Sequence, residues 1–258
     1  MDKKEIADSS KNKIEKMVQK KYGKKRTNEA FVYAKRIKAI LEKMAVEGIN
    51  DVSIKASILK IVDKRPEILM AQIGNHRYNL GMIAADLKAE WFVVKALDYQ
   101  EASLQQDYMG ENIGMHAAQA QLEQATIKAL ENAEASVQKT FCGQNIGMFA
   151  AKSGLEGATI KALENAEASA QQDYKGRNIG MCAAEMMLEK AALKAIENPV
   201  ARSQKNDSQE TIMAIAQEKG LTRVVEAFDK YQVAKKKKNN SAEQHDLSLD
   251  EIEQELGL

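Results

Sequence analysis

The chain has 258 residues, and 38 Lys and Arg stand against 37 Asp and Glu, so a formal charge of +1 gives no whole-molecule attraction to nucleic acid. Hydrophobic residues make up 44%, enough for a sizeable core, while aromatics reach 5% and Pro numbers 2, a composition that favours helices and argues against an all-β fold. Two Cys in a chain this long are not a disulfide framework, which fits a reducing compartment, and no apolar run approaches the ~20 residues of a membrane span.

The charged start, Met1-Asp2-Lys3-Lys4-Glu5, has no apolar stretch behind it, so no cleaved secretory leader is expected. Residues 11–26 carry eight Lys or Arg and a single acid, Glu15, with Ile14, Met17, Val18 and Tyr22 as an apolar strip. Two readings stand side by side: an interfacial helix drawn to anionic lipid or nucleic acid, or a solvated lysine-rich end. Residues 1–26 are accordingly expected to form a basic N-terminal segment. Residues 27–74 are expected to form a helical cap with two helices. One runs from Glu29 to Ala45 with Phe31, Ala34, Ile37, Ile40, Leu41 and Met44 on one face; the other runs from Val52 to Val62.

From residue 75 to 231 the chain repeats itself. Asn79-Leu80-Gly81-Met82-Ile83-Ala84-Ala85 returns as Asn112-Ile113-Gly114-Met115-His116-Ala117-Ala118. It returns again as Asn145-Ile146-Gly147-Met148-Phe149-Ala150-Ala151 and as Asn178-Ile179-Gly180-Met181-Cys182-Ala183-Ala184, always 33 residues on. A second block, Thr126-Ile127-Lys128-Ala129-Leu130-Glu131-Asn132, matches Thr159-Ile160-Lys161-Ala162-Leu163-Glu164-Asn165 at the same period. Asn at the head of the first block is a strong helix N-cap, and the Ala pair lets a neighbouring helix approach closely. A turn near Leu122 leads to a second helix with Ile127 and Leu130 on one side, ending near Asn132, which tolerates a left-handed conformation. About ten polar residues follow, with Gly110, Gly143 and Gly176 at one phase, suited to a tight turn. One helix pair cannot hide its apolar side; stacked neighbours can.

These blocks resemble ankyrin repeats, whose 33-residue period and Thr-Pro-Leu-His-x-Ala signature match the Asn-Ile-Gly-Met-x-Ala-Ala blocks in phase. Gly154-Leu155-Glu156 followed by Ile160-Lys161-Ala162-Leu163-Glu164 is similar to the family's second helix. The sequence departs from the pattern where Asn replaces the capping Thr, Ile replaces Pro, and Gly114, Gly147 and Gly180 occupy a usual Leu position. Ala133 and Ala166 stand where the family often has Gly. A degenerate last unit holds Thr211 to Ala216, then Gly220-Leu221 and Val224 to Phe228. The resemblance implies an all-α solenoid of stacked helix-turn-helix units with hairpin-like connections, and a concave surface lined by connection tips and first helices.

Beyond the repeats, Lys235 to Lys238 form a basic run, and residues 241–258 then carry six acids and no Lys or Arg, with Leu247, Leu249, Ile252, Leu256 and Leu258 interspersed. Residues 232–258 are expected to be a tail without fixed structure. Its end is similar to the acidic, C-terminally hydrophobic signals of effectors exported by Dot/Icm-type type IV secretion systems.

No catalytic constellation, cofactor motif or metal set is expected. His76, His116 and His245 fall on different elements, and His116 shares its phase with Ile83, Phe149 and Cys182, which marks a packing position. No His or Cys lies at zinc-ligand spacing. The recurrent Glu residues, such as Glu131 and Glu164, read as a solvated face. Recognition is the better expectation. Tyr108, Phe141 and Tyr174 recur at the tips every 33 residues, with Met109, Lys175 and Arg177 nearby, and Gln119, Lys152, Glu185 and Met186 vary between first helices. The rings either form an interaction hot spot or pack back onto neighbouring loops. The resulting expectation is a non-catalytic scaffold for a protein partner, either a secreted effector acting on a host protein or a housekeeping cytoplasmic adaptor. Anionic-lipid or nucleic-acid binding through the basic segment is the alternative.

Overall fold

The computed structural model describes residues 20–230, and the regular structure among them is helical apart from one antiparallel bridge between Ile73 and Tyr78. The Lys235–Lys238 run, the acidic tail and most of the basic N-terminal segment lie outside the described residues.

Two helices come first. α1 (Lys24–Glu47) ends at Gly48 in the left-handed conformation, and α2 (Val52–Lys64) is capped by Asp51, which accepts the amides of Ser53 and Ile54. Both outrun the expected 29–45 and 52–62, and the expected boundary at residue 26 falls inside α1. A 3-10 turn, Pro66–Met70, follows. α1 packs on that turn and on the first helix of the repeats, so Ala34, Ile37 and Leu41 are buried against the head of the array.

Each of the next four units supplies three helices. They are α3 (Leu80–Asp86), α4 (Glu90–Ala96) and α5 (Gln100–Ser103); α6 (Ile113–Gln119), α7 (Glu123–Leu130) and α8 (Ala133–Ser136); α9 (Ile146–Lys152), α10 (Glu156–Leu163) and α11 (Ala166–Ala170); α12 (Ile179–Glu185), α13 (Glu189–Ala195) and α14 (Pro199–Ser203). A last unit has α15 (Ile212–Glu218), headed by Thr211, and helical residues 222–230. The first helices α3, α6, α9, α12 and α15 pack in a row, and the second helices α4, α7, α10 and α13 form a parallel row behind them. Met115, Met148 and Met181 are fully buried between the rows.

The third, short helix was not expected. Asn132 does not end α7 in a left-handed conformation. Its backbone is extended (φ −84°, ψ 103°), and its side chain accepts the amides of Glu134 and Ala135 at the head of α8. The local preference of Asn for capping wins over its tolerance of positive φ. Its Nδ2 donates to Ser103 Oγ of the preceding unit, a contact that Asn165 and Asn198 repeat with Ser136 and Ser169.

The asparagine heading each of the helices α3, α6, α9 and α12 is buried to its last atom. Asn145 Oδ1 accepts the amide of Met148 at 3.0 Å, while Nδ2 donates to the Ala168 carbonyl and to Gln171 Oε1, both at 2.9 Å. Gln171 in turn donates Nε2 to the Val137 carbonyl of the preceding unit at 2.9 Å. The same chain runs through Asn79 and Gln105, Asn112 and Gln138, and Asn178 and Gln204. Asn is required because Thr or Ser caps the helix but lacks the two donors that satisfy the carbonyl and the glutamine.

The glycine inside each block has a steric reason. A Cβ on Gly147 would stand 2.5 Å from Ile179 Cδ1 of the next unit and 2.6 Å from Ala162 Cβ of its own second helix. Gly114 and Gly180 are confined the same way, by Ile146 with Ala129 and by Ile212 with Ala195. The Ile of the following block therefore seats on the Gly of the preceding one.

The second helices lack side-chain caps of their own; Leu122, Leu155 and Leu188 head them. A glutamate from the preceding unit does the work instead. Glu123 Oε1 accepts the amide of Gly157 at 3.0 Å, Glu156 Oε1 that of Lys190 at 3.0 Å, and Glu90 Oε1 that of Ala125 at 3.2 Å. A carboxylate at a helix N-terminus is also favoured by the helix dipole.

Three substitutions test this packing by urea unfolding. Gly147→Ala is expected to destabilise by about 1–3 kcal/mol, since neither Ala162 nor the seated Ile can move aside freely, outweighing the helix preference of Ala. Asn145→Ala is expected to cost about 2–4 kcal/mol, the lost cap plus a stranded glutamine and carbonyl. Leu130→Ala, at a buried seam position, is expected to cost about 2–4 kcal/mol, and a loss under about 1 kcal/mol would contradict the register.

Candidate functional site

The connections between units are tight turns built from one side chain each. Asp107 Oδ1 accepts the amides of Met109 and Glu111, both at 2.8 Å, and Asp173 Oδ1 accepts those of Lys175 and Arg177 at 3.0 and 2.9 Å. Thr140 Oγ1 takes the same part with Cys142 and Gln144. Gly110, Gly143 and Gly176 have φ of 82°, 77° and 72°, and a Cβ on any of them would meet the backbone of the next turn at about 3 Å.

This proximity lets the turns hydrogen-bond to one another. Tyr108 donates its amide to the His76 carbonyl at 3.2 Å, Phe141 to Met109 at 3.2 Å, and Tyr174 to Cys142 at 2.9 Å. The three aromatic residues are therefore fastened by their backbones, in register, along one edge of the array. Their rings are not consumed by that fastening: Tyr108 is 42% exposed, Phe141 45% and Tyr174 63%; Met109, next to Tyr108 in the chain, and Met186, at the end of α12, are exposed as well. Tyr108 leans on the His76 ring, centroids 5.0 Å apart, and Lys175 Nζ lies 5.7 Å from the centre of the Tyr174 ring.

The other expected residues separate into two charged clusters at the ends of first helices. Arg177 reaches Asp173 Oδ2 at 2.8 Å and Glu185 at 2.9 Å, and Lys152 Nζ lies 3.8 Å from Asp173. Burial opposes the charge on Asp173, but the Arg177 guanidinium and two amides hold its pKa below the usual carboxylate range. Burial lowers the pKa of Lys152, with Arg177 adding to the effect. Gln119 belongs to the second cluster, donating to Glu111 Oε1 at 3.2 Å.

That second cluster centres on His116. Its side chain is buried, as its phase implied, but its neighbours are carboxylates and one ring. Nδ1 lies 3.0 Å from Asp86 Oδ1, Nε2 lies 3.6 Å from Asp107 Oδ2 and 3.7 Å from Glu111 Oε2, and Tyr78 stands edge-on with centroids 4.9 Å apart. Burial pushes the imidazole pKa down, yet Asp107 and Asp86 beside it, with Glu111, carry it up to about 9. Burial also raises Glu111, and the Asp107 charge raises it further, against the pull of His116. Reading His116 against Ile83, Phe149 and Cys182 missed these partners. The available signal was the set of acids at fixed offsets from it, Asp107, Glu111 and, one unit back, Asp86.

The basic segment enters the described residues only at its end. There Arg26 Nε and its terminal nitrogen donate to the two oxygens of buried Glu67, at 3.1 and 3.3 Å, and Lys21 pairs with Glu101. Arg65 adds 3.3 Å to Glu67 and 2.6 Å to Glu29. These cations hold the cap together. Among the described residues no helix is long and apolar enough to cross a membrane.

No family model matches the chain, and no curated protein matches it either.

The His116 phase is open to a chemical check at its last copy. Cys182 is buried, and burial holds its thiol neutral up to about 11, with the charges of Lys152 and Arg177 opposing. Cys142 at the tip is exposed. Native protein at pH 8 is expected to take up one equivalent of iodoacetamide, at Cys142, and a second only in urea, as read by peptide mass spectrometry.

Proposed function

We propose that the chain is an ankyrin-repeat scaffold that binds another protein along the edge formed by its tips and first helices, and that it catalyses nothing itself. One observation carries this reading. Three aromatic residues at a 33-residue spacing are tethered by backbone hydrogen bonds and still present much of their rings to solvent. Rings held in place lose little freedom when a partner covers them, which is why aromatic anchors dominate binding energy in many interfaces. Met109 and Met186 widen the apolar area, while Lys175 and the ends of Gln119, Lys152, Arg177 and Glu185 add a polar rim that differs from unit to unit.

The setting proposed for this scaffold is export as an effector that acts on a host protein, on the strength of the acidic C-terminal segment alone. A reporter enzyme fused to the N-terminus, with and without residues 243–258, separates that setting from a housekeeping adaptor. Export of the full fusion and not of the shortened one supports it; equal retention of both defeats it.

Binding itself is tested by replacing Tyr108, Phe141 and Tyr174 with Ala together. Affinity isolation from host-cell lysate is expected to lose the partner at least ~10-fold while far-ultraviolet circular dichroism stays unchanged. Undiminished capture by the triple variant removes the aromatic edge from the interface.

A further inference from the structure

The four copies of the turn solve one electrostatic problem in four ways. In the third unit the positions hold Thr140, Gln144 and Phe149, and no charge is buried. In the fourth, Asp173 is answered by Arg177. In the last, Asn206 Nδ2 donates to Glu210 Oε2 at 2.8 Å. In the second, Asp107 and Glu111 are both acids, and both point toward His116.

Two buried atoms in that second copy have no hydrogen-bond partner among the described residues: Asp107 Oδ2 and His116 Nε2. They face each other. Asp107 spends Oδ1 on two backbone amides, so its other oxygen is fixed in direction. His116 turns Nδ1 to Asp86 Oδ1 at 3.0 Å, which fixes Nδ1 as a donor and aims Nε2 at the two carboxylates, where without an ion it carries a proton that an ion would displace. Separations of 3.6 and 3.7 Å exceed hydrogen-bond length. They match the edge of a tetrahedron around an ion with bonds of about 2.0–2.1 Å, roughly 3.3–3.4 Å, with little closure. One ligand atom from each of Asp107, Glu111 and His116 lies within 4.8 Å of the others, and Glu111, held at its other oxygen only by Gln119, is the ligand that closes the remaining gap.

We infer that His116 Nε2, Asp107 Oδ2 and Glu111 Oε2 form a site for one divalent transition-metal ion of the zinc class, with Asp86 orienting the imidazole from behind. The set is one nitrogen and two carboxylate oxygens, which suits zinc and its neighbours better than magnesium or calcium, whose sites are built from oxygen alone. The Asp86–His116–ion line is the usual way a ligating imidazole is held, its far N–H given to a carboxylate. An ion here takes the place of the imidazolium proton between Asp107 and Glu111 and ties the turn to α6 and, through Asp86, to the end of α3. The inference stands apart from the partner-binding reading and does not require it.

The test uses the full chain carrying Cys142→Ser, which removes the exposed thiol, freed of metal by chelation. Titration with zinc chloride by calorimetry is expected to show one equivalent with a dissociation constant at or below about 1 µM, and a rise in thermal midpoint that magnesium and calcium chloride do not give. The variant Asp107→Thr, Glu111→Gln, His116→Phe copies the third unit into the second, so it has a native template for folding. It is expected to unfold cooperatively and to bind zinc at least ~100-fold more weakly. Asp86→Asn is a positioning change and is expected to weaken binding about 10–100-fold with the stoichiometry intact. Imidazole nitrogen shifts should report ligation through Nε2 of His116. Absence of saturable zinc binding, equal binding by the triple-substituted chain, or ligation through another histidine each overturns the site. The first of those outcomes would mean that a proton alone occupies the position.

Discussion

The stack depends on a buried amide side chain. An asparagine with no exposed surface stands at the head of four first helices, and a buried polar group survives only if every donor and acceptor is matched. Asn112, Asn145 and Asn178 meet that condition in one way each time, one oxygen to the helix and two N–H groups to the third helix and its glutamine. The third helix therefore cannot drift from the first. Because the glutamine completes its own bonding on the unit before, the spacing between units is set by the same chain of contacts. Hydrophobic burial supplies the driving force for stacking, but it is not directional; these bonds supply the register.

Close approach follows from that register. With each layer held at a fixed offset, the Ile of one block lies over the Gly of the previous one, and alanines fill the second row. Small residues and thin layers bring the turns close enough to bond to one another. The edge that results carries the aromatic residues, and the ends of the first helices carry the charge clusters. Scaffold and surface are thus one construction. In two of the connections the turn side chain, Asp107 or Asp173, is also the acid that organises the cluster beneath it.

Much of this was legible in the sequence because the period repeats a physical requirement. The Asn caps, the paired helices, the turn glycines and the buried Met positions all follow from the blocks themselves. What escaped reading were contacts that join one unit to the next. Asn132 was assigned to the end of α7, whereas it caps α8 and its Nδ2 reaches back to Ser103 of the unit before. Reading the second-helix glutamates as a solvated face, on Glu131 and Glu164, overlooked Glu90, Glu123 and Glu156, each of which caps a helix about 34 residues onward. His116 was averaged with its phase-mates, and averaging across copies conceals the one copy that differs. The short α5, α8, α11 and α14 have too few residues for any helical periodicity to register.

The glutamate caps give the array a polarity. Helix α10 owes the covering of its first amides to Glu123 of the layer before, while α7 owes nothing comparable to the layer after it. Asn165 and Gln171 likewise lean backward, on Ser136 and Val137. Through these caps and amide bonds, damage to one layer is inherited by its successor. A chain emerging from the ribosome meets these dependencies in their natural sequence, each finished layer offering the next a waiting set of anchorages.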